Sequence, residues 1–218
     1  MPITFDNRAG RYRDEYGRFL AASAIPNLLQ QEQQRLAIRL QAVTRLLTAD
    51  KITLPEWQTR FAQTLKTSHL AIASLAAGGK SNLNSKIYGA VGYQLRDQAK
   101  YLNGFAKALS KGELTPNQAI ARSALYASSI KVSFGKAQQM ARANDGFNQA
   151  KRSLDKQSQH CSDCLSYFTR GRWVAIAEVI LPGVACLCRQ HCRCSIVYRL
   201  NTRLVAKSGR SPLSDSLP

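Results

Sequence analysis

Six cysteines, all in the last third of the chain, are the residues whose type and spacing could do chemistry. Cys161 and Cys164 form a C-x2-C pair in "HCSDC". Cys186, Cys188, Cys192 and Cys194 crowd into "CLCRQHCRC", and His160 and His191 stand beside the two groups. A tetrahedral zinc site needs four soft or borderline ligands at about 2.0–2.3 Å from the metal. A C-x2-C turn delivers two thiolates from one knuckle, and a second cysteine group brought back by a strand pair completes the set. On this reading the ligands are Cys161, Cys164, Cys188 and Cys192, with Cys194 as the first substitute. Cys186 and the two histidines rank lower, because six cysteines and two histidines exceed four ligands.

Three readings compete with metal. An even number of cysteines permits disulfides if the mature protein lives outside a cell. Free cysteine also packs as a small hydrophobe. A catalytic thiol would need an activating base, for which His160 and His191 are near in sequence, but nothing marks a nucleophile. The opening "MPITFDNRAGRYRDEYGRFL" has no apolar signal region, which points to a reducing cytosolic history, where clustered cysteines favour metal.

The elements that must position this cluster follow from apolar periodicity. Ile25, Leu29, Leu36, Leu40, Val43 and Leu47 make one stripe, so a helix is expected over about 23–49. Thr53, Pro55 and Glu56 read as a capping box with proline in the first turn. The helix they open carries Trp57, Phe61, Leu65, His69, Ile72 and Ala76 and ends at Gly78 and Gly79. His69 on that stripe reads as a satisfied core histidine. A third helix opens near Asn84 with Tyr88, Val91, Leu95, Leu102, Phe105 and Leu109. A fourth runs as one piece from Thr115 to about 143, carrying Ile120, Ala127, Ile130, Phe134, Ala137 and Met140. Beyond 156 the period changes, and "RWVAIAEVI" and "CSIVYRL" read as short strands, the first folding into a hairpin between the two cysteine groups.

The expected fold is mainly α: a helical bundle or extended helical hairpins, followed by a small cysteine-rich α+β module containing a β-hairpin. Its parts are an extended basic arm over 1–22, a helical domain over 23–150, a zinc-stapled module over 151–206 and a disordered tail over 207–218. The module, of about 50 residues, is too small to hold together comfortably on its own core. The arm is expected to order only on a partner.

Charge narrows the partners. Lys and Arg total 31 against 13 acidic residues, a formal net charge of +18. That balance points to a polyanionic neighbour such as nucleic acid. The longest apolar stretch, "WVAIAEVILPGVACLC", is broken by Glu178 and Pro182, so no membrane span is expected. "AAGGKSN" follows a helix and lacks P-loop spacing, and no carboxylate pair stands out, so the chain makes almost no case for an enzyme.

The cysteine pattern resembles a known module. "HCSDCLSY" followed by "LPGVACLCRQHCRCSIVY" is similar to the C-terminal end of phage head morphogenesis proteins, the minor head proteins of Mu-like and related tailed phages. In that family a C-x2-C element precedes a proline–glycine loop and an "NCRC"-like ending that leads into a strand. Cys161, Cys164, Cys188, Cys192 and Cys194 match it, Cys186 is additional, and His191 stands where asparagine is common. "RYRDEYGRFL" also looks like the arginine-rich openings of phage structural proteins, which makes Arg11, Arg13, Arg18 and Phe19 the candidate partner contacts. The resemblance covers about 157–199. It implies a virion protein, made in the host cytoplasm and placed in the phage head or neck. Such a protein associates with the portal or the major capsid protein, as a ring or in few copies, and supports head assembly, DNA packaging or ejection. Arg193 would face a partner or a DNA phosphate. A free, basic, zinc-stapled nucleic-acid-binding protein and a capsid cement protein are the alternatives.

Overall fold

The computed structural model describes residues 3–168, 171–188 and 192–202. Five long or medium helices form the body: α1 (Ala24–Thr48), α2 (Leu54–Ala77), α3 (Ser85–Ser110), α4 (Pro116–Leu125) and α5 (Ile130–Asn144). A hairpin of β1 (Thr4–Asp6) and β2 (Arg11–Arg13) precedes them. The cysteine-rich end holds β3 (Gln149–Ser153), the short α6 (Ser162–Tyr167), β4 (Val174–Ala175) and β5 (Ser195–Arg199). Among the described residues no helix is long and apolar enough to cross a membrane.

The central helix is α2, which packs on α1, α3 and α5. Its sequence explains that position. The Thr53 hydroxyl and the Glu56 carboxylate cap the start reciprocally, and Gly78 at φ 80° closes the end in a left-handed turn. Between them Trp57, Phe61, Leu65, His69, Ile72 and Ala76 are buried, as the stripe requires. Trp57, Phe61, Phe105 and Tyr126 meet at 5.1–6.3 Å between ring centroids. Each such ring contributes about 1.5–3 kcal/mol by leaving water. The indole N–H of Trp57 donates to Thr44 Oγ1 at 3.1 Å, and that hydroxyl donates to Leu40 O, so the polar atoms in this core are satisfied.

His69 is a core histidine. Ser129 Oγ donates to Tyr126 O at 2.6 Å, so it accepts from His69 Nε2 at 3.0 Å. Nδ1 is then left as the acceptor for Ser133 Oγ at 2.6 Å. Burial lowers the pKa of the ring to about 4, which keeps it neutral.

Three local expectations need correction. The helix expected from Thr115 to about 143 is two helices joined by a 3-10 turn over Tyr126–Ser129. Ser128 and Ser129 hydroxyls bond the carbonyls of Leu125 and Tyr126, three residues back, and tighten the turn there. Tyr88 is 47% exposed while Ile87 is fully buried, so the inner face of α3 is rotated by one residue where it meets α2 and α5.

The third correction is the N-terminal arm, which is a hairpin packed on the helices. Phe5 and Tyr12 face one another at 4.9 Å and share one side of the β1–β2 ladder. The Tyr12 hydroxyl donates to Ala76 O at 2.8 Å, and Arg142 Nη2 donates to the same carbonyl at 3.0 Å. That carbonyl lies in the last turn of α2, where helix geometry leaves it without a helical partner. The hairpin therefore finishes α2, and burial against the body supplies what an isolated hairpin lacks.

The domain edge also moves. β3 begins at Gln149, so the boundary near 150 cuts the central strand of the sheet, whose order is β4-β3-β5. "RWVAIAEVI" contributes only β4, and it pairs with β3 instead of forming a hairpin of its own. Val179 from that stretch and Leu181 just after it cover Ala150 as loop side chains. Leu181 lies 3.6 Å from where a Cβ on Gly135 of α5 would stand, and Gln139 Nε2 donates to Ile176 O at 2.7 Å, which seats the module on α5. The expected tail over 207–218 lies outside the described residues.

Candidate metal centre

Four thiols converge. The sulfurs of Cys164, Cys186, Cys188 and Cys192 all lie within 4.8 Å of one another. Cys164 is 3.4 Å from Cys188 and 3.7 Å from Cys192, and Cys186 is 3.4 Å from Cys188. A zinc–sulfur bond of about 2.3 Å in a tetrahedron puts sulfurs about 3.8 Å apart, so these spacings suit a four-thiolate centre. All six cysteines are free thiols here.

Local structure brings each ligand in. Cys161 caps α6, its sulfur accepting from Cys164 N at 3.4 Å, which aims Cys164 inward from the first turn. The Asp163 carboxylate accepts from Leu187 N at 2.8 Å, and the Tyr167 hydroxyl donates to Ala185 O at 3.1 Å. Those two bonds clamp the segment carrying Cys186 and Cys188 onto α6. Pro182 and Gly183 turn the chain just before it. Gly183 adopts φ 79°, and its N–H donates to Cys186 Sγ at 3.3 Å. Cys192 arrives at the head of β5.

One buried cation completes the surroundings. Arg152 of β3 is 1% exposed, and its Nη2 donates to Cys192 at 3.4 Å and to Cys186 at 3.7 Å. Its Nε and Nη1 have no hydrogen-bond partner. A buried guanidinium requires a nearby negative charge. A Cys192 thiolate, free or bound to a metal, supplies that charge, whereas neutral thiols or disulfides throughout would leave Arg152 without one. Before any metal binds, burial pushes the Cys164 thiol up, and Cys188 up to about 12. Burial also opposes ionisation of Cys192, but the Cys194 N–H and the Arg152 guanidinium outweigh it and lower that thiol to about 6. The Cys164 N–H likewise brings Cys161 down to about 7.

The converging set is therefore not the one read from spacing. Cys164, Cys188 and Cys192 belong to it. Cys161, 3.6 Å from Cys188, stands at its edge, outside the mutually close four, and Cys186 takes its place. Cys194 lies outside that four but keeps contact with Cys164 and Arg152, and it stands 3.8 Å from His160 Nδ1, while His160 Nε2 lies 2.8 Å from Asp155 O. His191 lies outside the described residues. The signal for Cys186 was present in the sequence: "PGVAC" places a proline–glycine turn three residues before it. The four thiols are close enough to chelate a metal ion, and thiolates are soft ligands.

The residues expected to meet partners are placed as follows. Arg13 stacks on Phe19 with its guanidinium carbon 3.7 Å from the ring centroid, and it pairs with Asp6 at 2.7 Å. Arg11 lies 4.7 Å from the same ring, and Arg18 pairs with Asp14 at 2.8 Å. Phe19 is 40% exposed, so this cation–aromatic stack stands at the surface. Arg193 is exposed beside the thiol cluster. Comparison of the chain with protein-family models, with curated proteins and with solved structures finds no match.

Proposed function

We propose that this chain is a structural assembly protein of a phage head, associated with the portal vertex, whose C-terminal module is stapled by one zinc ion. The observation that carries the zinc reading is the convergence of Cys164, Cys186, Cys188 and Cys192 around a buried Arg152. Four cysteine ligands close the coordination shell, the arrangement of a structural rather than a catalytic zinc site. Zinc supplies the module with the cohesion that a small core lacks.

The phage assignment is supported by the likeness of "HCSDCLSY" and "LPGVACLCRQHCRCSIVY" to minor head proteins, and by a charge of +18 suited to a DNA conduit. Portal protein and major capsid protein are the expected partners. Its test is the composition of purified particles: the chain should be present in few copies, and reconstruction should place it at one vertex. Uniform decoration of the capsid lattice would favour a cement role. Absence from particles would end the assembly reading. The zinc reading is tested by elemental analysis of the purified protein, expected at about one zinc per chain and removed by chelator together with melting of the module.

A second reading, direct nucleic-acid contact, is favoured by Trp173. Arg199 lies 4.2 Å and Lys151 4.9 Å from its ring, so an aromatic face and two cations share the outer side of the sheet. Such a combination suits phosphate and base stacking. Duplex binding that falls steeply with salt and weakens on Trp173→Ala supports this reading, and indifference to DNA at about 50 mM salt removes it.

A further inference from the structure

A groove of about 1380 Å³ opens between the N-terminal hairpin, the start of α1, α5 and the cysteine module. One of its walls is β5. This strand pairs with β3 alone, so among the described residues its other edge is unpaired. Ser195, Ile196, Val197 and Tyr198 all line the groove. Alternate residues of a strand leave by opposite faces, so four consecutive residues meet one space only along the strand's edge. The groove therefore receives the free backbone N–H and C=O groups of β5. Exposed edges of this kind template a further strand, and natural proteins otherwise cover or charge them.

The remaining walls describe the occupant. Leu29, Phe134 and Pro182 supply apolar surface. Arg11, Lys131 and Arg193 line the groove; Asp155 is its acidic residue, and the Cys192 sulfur interacts with Lys131. The volume exceeds the roughly 300–1,000 Å³ of small-molecule pockets. An extended segment with alternating apolar and acidic side chains matches all three features: backbone to the β5 edge, apolar side chains to the helices, carboxylates to the cations.

We propose that β5 is a docking strand, which receives an extended acidic segment of a partner protein as a fourth strand of the β4-β3-β5 sheet. This names the mode of contact behind the assembly reading above and rests on that reading for the partner's identity. It would place the partner directly against the zinc module, since Cys192 and Cys194 lead into β5 and line the same groove.

The test uses the full zinc-loaded chain and a fluorescein-labelled peptide of about nine residues alternating valine and glutamate, long enough to span the strand at roughly 3.3 Å per residue. Saturable binding by anisotropy is expected. Methylating alternate peptide amides, which removes the strand-pairing donors without changing charge, should weaken binding roughly tenfold or more. The double variant Arg11→Glu with Lys131→Glu should do the same, with zinc content and circular dichroism confirming that the fold persists. A valine–lysine peptide should not bind. No binding of the acidic peptide, or equal binding of its methylated form, overturns the proposal. Binding that appears only after removal of residues 203–218 would assign the groove to the chain's own terminus. Displacement of the peptide by duplex DNA, with the methylated peptide binding equally, would assign it to nucleic acid. Either of these outcomes also overturns the proposal. Failure here leaves the phage assignment standing, since that is decided separately by particle composition.

Discussion

Replacing Cys186 by serine should damage metal binding far more than replacing Cys161, although the family-like pattern favours Cys161. Cys186 is one of four sulfurs mutually within 4.8 Å, and it receives both the Gly183 N–H and the Arg152 guanidinium. Cys161 contacts Cys188 at 3.6 Å but stands outside that four, and its sulfur is already engaged as the cap of α6. Structural four-ligand zinc sites bind with about 10–16 kcal/mol, so one thiolate is worth roughly 3 kcal/mol, or about 100-fold in affinity. Competition against a chromophoric chelator at pH 7 measures that ratio directly. For Cys186→Ser the expected loss is about 100-fold, with about 2.7 kcal/mol less metal-linked stability wherever free zinc is well above the dissociation constant. For Cys161→Ser the loss should stay below about tenfold, the range of an outer contact. Retention of wild-type affinity by Cys186→Ser, together with collapse in Cys161→Ser, would refute the assignment and restore the set read from spacing.

Arg152→Met keeps volume but removes the charge facing Cys186 and Cys192; zinc affinity should drop about 10- to 100-fold, read by the same competition. Burial holds the pKa of folded His69 at about 4, below the ordinary histidine value of 6.5, so the unfolded chain binds more protons between those values. Its contribution to stability is therefore full above about pH 6.5 and is lost as pH falls toward 4, in total roughly 3 kcal/mol. His69→Gln should flatten that part of the stability–pH curve relative to wild type in denaturant titrations. Gly78→Ala would place a Cβ 2.5 Å from Phe5 Cβ and 2.7 Å from Phe5 N at a φ of 80°. The hairpin must then move, so tryptic cleavage after Arg11 and Arg13 should accelerate by about tenfold or more, with at least about 1 kcal/mol of stability lost.

The sequence by itself determined the helical body. The capping boxes at Thr53 and Thr115 and the glycine stop at Gly78 are local features, and local hydrogen bonding realises them where they were read. The stripe of α2 is buried in full because periodicity alone specifies which face is apolar. That a cysteine cluster forms at all was equally legible in the spacing. Tertiary structure decided everything that depends on partners distant in the chain. "QAKRS" has too little apolar character to read as a central strand, yet β3 occupies that position because Arg152 finds sulfurs from residues 186 and 192 beneath it. The arm became a hairpin because Ala76 O accepts the Tyr12 hydroxyl and the Arg142 guanidinium stacks on Phe5, contacts more than sixty positions away in the chain. Spacing could count six thiols but could not rank them. Which four converge depends on where α6, the Pro182–Gly183 turn and β5 place their sulfurs in space, and only the packed module sets those directions.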